Sequence, residues 1–202
     1  MRIYLIRHGQ TVWNKENRVQ GNRDVELNET GLKQAELTGE YLKNRAIDLF
    51  YCSDLTRAVR TAKIINRFHN KAITQLPVLR EICYGEWEGR NWQEITARDP
   101  DLAVAWRNDR VNVAPPGGES FQDLYRRVAD FVTLVKTLDH QAVAVVTHEG
   151  VIKALLCHFL RVDPARQREL SYHNGSISTV EYDPVTKQFS AVSLNDYSHL
   201  PE

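Results

Sequence analysis

The feature that most constrains this chain is a motif that occurs three times: a short apolar run followed within five residues by arginine or histidine. Ile3–Ile6 leads into Arg7-His8-Gly9-Gln10-Thr11, and Ile47–Cys52 into Ser53-Asp54-Leu55-Thr56-Arg57. Ala142–Val146 leads into Thr147-His148-Glu149-Gly150. Short, mainly apolar runs of this kind fit strands covered on both faces, as in a largely parallel sheet. Segments of helical spacing lie between and after them. Leu55, Ala58, Val59, Ala62 and Ile65 trace one helical face, and Phe121, Leu124, Val128, Phe131, Val135 and Leu138 another. Ser120 with Asp123 makes a capping box ahead of the second, and Val151–Leu160 is apolar nearly all round, as a helix packed on a sheet would be. Ser176–Tyr182 and Gln188–Leu194 flank a turn at Asp183–Lys187 and read as a late hairpin. The alternation predicts an α/β fold, a three-layer sandwich with a mostly parallel central sheet flanked by helices.

Open α/β sheets hold ligands beyond the carboxyl ends of their strands. The three strand ends would therefore bring two guanidiniums and two imidazoles to one pocket. Each feature alone has a plain reading: a solvated turn at His8, an exposed arginine at Arg57, a helix start at His148. Three together point to an anion. Guanidinium forks match phosphate oxygens and stay charged at working pH, and the free N–H groups after His148 suit the same ligand. Arg57, in the first turn of its helix, opposes the helix dipole, a cost that a bound anion would offset. A metal reading is the rival, since histidine is a common ligand, but no His-Glu-x-x-His or Asp-x-His grouping accompanies His8 or His148.

Other properties bound the function. The 202 residues suit a single domain, 1–202, and carry 26 basic and 26 acidic side chains. Zero net charge excludes neither small anions nor their esters, but gives no reason to expect nucleic acid or membrane as a partner. Cys52, Cys83 and Cys157 are odd in number and widely spaced, which fits neither a disulfide framework nor a thiolate zinc site and suits a cytoplasmic setting. The N-terminal apolar stretch is too short for a signal peptide or membrane helix. Residues 82–118 hold three of the four tryptophans and Pro115-Pro116-Gly117-Gly118 with weak periodicity. We read them as a lid-like insertion over the sheet.

The segments around these residues resemble the histidine phosphatase superfamily, in the branch containing cofactor-dependent phosphoglycerate mutase. The resemblance runs through Arg7–Asn14, Gln20-Gly21, Leu27–Gly31, Ser53–Ala58, Glu81–Gly89, Gly117–Ser120 and Val146–Gly150, in family order and over most of the chain. It implies a sandwich around a mostly parallel sheet, and phosphorylation of His8 with Arg7, Arg57 and His148 holding the phosphoryl group. Asn14 matches a phosphate-binding position, Gln20 and Gly21 a stretch near the substrate, and Glu81 the general acid. Tyr84 matches a substrate-contacting position in mutases. Glu149 departs from the glycine often found after the second histidine.

Without the resemblance, Glu81 reads as a surface carboxylate paired with Arg80. The expected activity is that of a phosphoric monoester hydrolase, metal-independent and cofactor-free, acting on small phosphorylated metabolites. A phosphomutase using the same phosphohistidine is the alternative, with a non-catalytic phospholigand binder as a third reading. The relative shortness of the chain favours hydrolysis. The family's substrates run from sugar phosphates to phosphoserine and cobalamin precursors, and Arg98, Arg107 and Arg110 are candidates for meeting a second charge. A homodimer is compatible with everything above, and His199 is a candidate to fold back toward the pocket.

Overall fold

The computed structural model describes residues 1–169 and 171–201. Its centre is a six-stranded sheet of β1 (Arg2–Arg7), β2 (Leu49–Cys52), β3 (Ile73–Gln75), β4 (Ala142–Thr147), β5 (Ile177–Asp183) and β6 (Gln188–Asp196), in the order β3-β2-β4-β1-β5-β6. The pairs β2·β3, β2·β4 and β1·β4 are parallel, whereas β5 runs antiparallel to both β1 and β6. The sheet is thus mostly parallel, and the late hairpin is present as expected. The helices are α1 (Val12–Lys15), α2 (Glu29–Leu42), α3 (Thr56–Asn66), α4 (Trp92–Arg98), α5 (Pro100–Asn108), α6 (Phe121–Arg127), α7 (Ala129–Lys136) and α8 (Glu149–Leu160).

Alternation along the buried strands sorts their side chains between two cores. Ile3, Leu5, Val143 and Val145 face α6, α7 and α8, where Leu124, Phe131 and Leu155 cover them. Tyr4, Ile6, Ala144 and Val146 face α2 and α3, where Leu42, Ala58, Ala62 and Ile65 close the other side. Alanines on both partners let α3 lie close to the sheet, and each fully buried Leu or Ile contributes roughly 1.5–3 kcal/mol.

The order of the strands explains where a ligand can sit. From β1 the chain crosses to β2 by way of α2 on one face, and from β4 it leaves in the opposite direction through α8 on the other face. β1 and β4 are neighbours, so a crevice opens between their carboxyl ends. The register places Arg7 beside Thr147, and the His8 N–H donates to Thr147 O at 2.9 Å. His8 and His148 therefore leave the sheet side by side.

Four features differ from the sequence reading. The second strand begins at Leu49 rather than Ile47. The long helix after Ser120 is broken at Val128 (ψ −8°) into α6 and α7, although one apolar face continues across both. α2 and β3 were not anticipated: α2 carries a polar-rich sequence with buried Gly31, Thr38 and Gly39, and β3 has three residues, too few for periodicity to register. In the 82–118 segment, α4 and α5 pack around a small core of Trp87, Ile95, Ala103 and Trp106, with Trp87 Nε1 donating to Asp99 Oδ2 at 2.8 Å. Two such short helices explain the weak periodicity.

Candidate active site

His8 is buried at 2% exposure, and its Nδ1 lies 2.7 Å from Gly9 O. A carbonyl only accepts, so Nδ1 carries the proton and Nε2 keeps its lone pair. Burial lowers the pKa well below the ordinary histidine value, reinforced by the charges of Arg57 and Arg7 and opposed by the Gly9 bond. The ring is neutral at physiological pH. Backbone placement is firm: the Gly9 N–H donates to Thr61 Oγ1 (3.1 Å), and the Asn174 amide donates to His8 O (3.0 Å).

His148 is the N-cap residue of α8 and fully buried, with its ring centroid 5.0 Å from that of His8 in an edge-on arrangement. Arg57 Nε donates to its Nδ1 at 3.3 Å. Since a guanidinium only donates, the proton of His148 sits on Nε2, which has no partner among the described residues. Burial, then Arg57 and His8, lowers this pKa well below the usual value.

Arg57 has no solvent exposure. Nη1 donates to Arg23 O (2.8 Å) and Nη2 to Gly21 O (2.7 Å). Gly21 adopts a positive φ of 53°, the conformation that turns this carbonyl toward Arg57 at little cost for glycine. Burial pulls the Arg57 pKa down to about 10, so it remains charged at neutral pH. The carboxylates that offset this cation belong to the chain itself: Glu81, then Asp24 and Glu88, with Asp24 also accepting from the N–H (2.8 Å) and hydroxyl (2.5 Å) of Thr56 at the helix start. Arg7 donates through Nη1 to Tyr172 O and pairs with Glu149 at 3.1 Å, and Lys153 meets the other oxygen of Glu149 at 2.7 Å. The residue that departs from the family pattern thus bridges two cations.

Glu81 is not paired with Arg80, which binds Asp54 through two bonds of 2.7 and 2.6 Å. Its carboxylate accepts from the N–H groups of Ile82 (2.9 Å) and, at 3.4 Å, Gly150. Desolvation raises its pKa above the ordinary carboxylate value despite those bonds and the charge of Arg57. Arg127 fixes the strand of chain that carries it, donating to the carbonyls of Val78, Arg80 and Glu81 and pairing with Glu119.

Asn14 Oδ1 accepts from Thr11 N (3.0 Å) and the Asn174 amide (3.3 Å), which leaves the Asn14 NH₂ group free to donate. Gln20 Oε1 accepts from Thr11 Oγ1 at 2.9 Å with the same consequence. Arg7, His8, Asn14, Gln20, Gly21, Arg57, Glu81 and Tyr84 all line one cavity of about 350 Å³; Trp92 and Trp106 form part of its wall. His148 stands just behind it, against His8 and Arg57. Tyr84 is edge-on to Trp106 (6.1 Å), and burial raises its pKa. The residues expected to hold phosphate and substrate therefore converge, with His148 at the back of the cavity.

Several supporting residues were not anticipated. Asn174, Thr61, Lys153 and Gln167 lie outside the motifs; the Asn174-Gly175 pair was a readable turn signal. His199 does fold back, but onto Thr38 Oγ1 (3.1 Å) and Gly175 O (3.2 Å), beside the loop whose Gly175 N–H donates to Arg7 O (3.0 Å). Cys83 is half-buried with its thiol pKa pushed up by burial, so it is not a ready thiolate.

A mostly parallel sheet whose strand ends gather two histidines of lowered pKa and a buried arginine is suited to an α/β enzyme that handles phosphoryl groups. A sequence model of the histidine phosphatase superfamily (branch 1) matches residues 3–196, and the chain belongs to that family. It is 31% identical to adenosylcobalamin/alpha-ribazole phosphatase of Salmonella typhimurium over 90% of each chain. It is 33% identical to a probable phosphoglycerate mutase, GpmB, of Yersinia pestis, covering 99% of this chain and 95% of the relative. Its structure superposes on mycobacterial glucosyl-3-phosphoglycerate phosphatase, solved with VO3, with a TM-score of 0.87 and 32% identity over 96% and 98% of the two chains. Length does not separate phosphatase from mutase here, because a relative named as a mutase is nearly the same size. No helix among the described residues is long and apolar enough to cross a membrane.

Proposed function

We propose that the chain is a metal-independent phosphatase that hydrolyses phosphate monoesters of small metabolites through phospho-His8. The observation that carries this reading is the tautomer of His8: neutral, protonated on Nδ1, with the lone pair of Nε2 available as nucleophile. His8 Nε2 attacks phosphorus, a bond forms between nitrogen and phosphorus, and the ester P–O bond breaks. Glu81, whose pKa desolvation raises, delivers a proton to the departing alkoxide. Arg7, Arg57, the Asn14 amide and the Nε2–H of His148 stabilise the equatorial oxygens. The resulting Glu81 carboxylate then takes a proton from the water that cleaves phospho-His8. Gln20, Gly21 and Tyr84 border the alcohol part, and residues 82–118 act as the wall or lid over it.

The cations supply by preorganisation the charge that a metal would otherwise bring. The deciding assay is release of inorganic phosphate from p-nitrophenyl phosphate in excess EDTA. Chelator-resistant release matching nitrophenol formation is expected. Loss of turnover with EDTA, or transfer of the phosphoryl group to a second alcohol in place of water, would reject the hydrolase reading.

Two variants probe the assignments. Arg57→Ala should lower turnover by on the order of 10²–10³, the usual cost of one preorganised donor. Near-normal rates in that variant would remove Arg57 from the clamp. Gly150→Ala tests how Glu81 is seated, because an added Cβ would lie 2.5 Å from Glu81 Oε1. Displacing the acid by about 1 Å should cost on the order of 10²-fold in kcat on alkyl phosphates. The gain in helix propensity, about 1 kcal/mol, limits the effect on stability, so rate and melting temperature should part company.

A further inference from the structure

Two carboxylates among the described residues line the cavity, Glu81 and Glu149. Glu81 serves as the acid, whereas Glu149 takes no part in that chemistry. A second negative charge beside a site for phosphate is unfavourable to the ligand, because like charges a few ångströms apart repel in a partly desolvated pocket. The fold nevertheless holds it there. Glu149 is the first residue of α8, where the helix dipole favours a carboxylate. Its Oε2 lies 3.1 Å from Arg7 Nη1, and its Oε1 lies 2.7 Å from Lys153 Nζ, one turn further along the helix. Even Glu149, the most exposed of the three, has only 28% side-chain exposure, so water screens the group weakly.

This bridge acts on the phosphoryl end of the cavity. Of the two guanidiniums assigned to phosphate, Arg57 donates to two carbonyls and His148, and only Arg7 is ion-paired among the described residues. Tyr172 O and Glu149 both engage Arg7 Nη1, while Arg7 Nε is buried without a partner among the described residues. The fork is anchored through one nitrogen and keeps a donor for an anion. Lys153 also lines the cavity, and its ammonium is a compact charge on a flexible stem. Glu149 holds that ammonium in place. The carboxylate thus subtracts one charge from the phosphate site without occupying the Nε donor of Arg7. An enzyme that hydrolyses phosphate esters must also let inorganic phosphate go, and product release limits many turnover rates.

We propose that Glu149 is a positioning residue that sets how firmly the site retains phosphate: it anchors Arg7, restrains Lys153 and lowers the affinity for the inorganic phosphate that hydrolysis leaves behind. The proposal rests on the phosphatase reading above, which makes phosphate the product.

The probe is inorganic phosphate, titrated calorimetrically into the protein in EDTA and measured in parallel as a competitive inhibitor of p-nitrophenyl phosphate hydrolysis. Glu149→Gln keeps an oxygen that can accept from Arg7 but removes the charge. Its Kd and Ki for phosphate should fall by about 10-fold or more relative to wild type, the effect of one charge a few ångströms from a bound anion. Adding Lys153→Met to that variant should return most of the affinity toward the wild-type value, because the freed ammonium is removed with it. A purely structural part for Glu149 has the opposite sign, since a misplaced Arg7 weakens phosphate binding. Unchanged or weaker binding in the glutamine variant therefore overturns the proposal, and so does tightening that persists undiminished in the double variant. If the glutamine variant does not fold, Glu149→Gly, with the residue often found after the second histidine in the family, carries the test with the same expected sign. Wild type that binds phosphate but hydrolyses no monoester would reject the phosphatase reading, and the Kd comparison would still decide the effect of Glu149. Hydrolysis by wild type with no tightening in the variants rejects the role of Glu149 alone.

Discussion

With His8 replaced by alanine, turnover of p-nitrophenyl phosphate in EDTA should fall by on the order of 10⁴-fold or more, because no other group of the site takes the nucleophile's role. In the wild type, quenching with alkali during turnover should trap a phosphoryl group on the peptide containing His8, visible as a mass increase that acid treatment removes. The alanine variant should show none. It should still fold, since the imidazole it loses is one whose protonation the buried setting disfavours. A circular dichroism melt close to that of wild type would separate loss of the nucleophile from loss of structure. Substantial turnover in the variant would take the nucleophile's role away from His8.

Glu81→Gln should lower turnover of alkyl phosphates by roughly 10²–10⁴. The loss should be smaller in the phosphoryl-transfer step with p-nitrophenyl phosphate, whose leaving group needs little help from a proton. The pH dependence follows from the directions of two pKa shifts. Glu81 acts as acid only while protonated, and its pKa is raised above the ordinary carboxylate value. Activity should therefore decline as pH rises through that raised value. His8 attacks only when neutral, and its pKa is lowered below the ordinary histidine value. The acid limb of kcat/KM should lie below about pH 6.5, the unperturbed histidine value. The glutamine variant should lose the alkaline limb and keep the acid one. An unchanged alkaline limb would assign it to another group.

Much of the site was legible because parallel strands end together. Once Ile3–Ile6, Ile47–Cys52 and Ala142–Val146 are read as neighbouring buried strands, the residues that follow them must meet at one edge, and His8, Arg57 and His148 do so. Glu81 was different. It follows no strand of the sheet, and its motif resemblance, not its periodicity, marked it as the acid. Its seat depends on Arg127 and Glu119 gathering the chain from Val78 to Cys83, and on the absence of a side chain at Gly150. These contacts join segments far apart in sequence.

The sequence by itself determined the class of fold, the mostly parallel sheet and the charged groups that gather at its strand ends, because strand burial and residue chemistry are local properties. Only the tertiary structure decided which imidazole nitrogen carries each proton and which carboxylate offsets which cation. Tautomer follows from a single partner atom, Gly9 O for His8 and Arg57 Nε for His148. The engagement of Arg7, Lys153 and Arg18 follows from distances of a few ångströms between elements. Electrostatic pairing in a desolvated cavity depends on such distances, and linear spacing does not encode them.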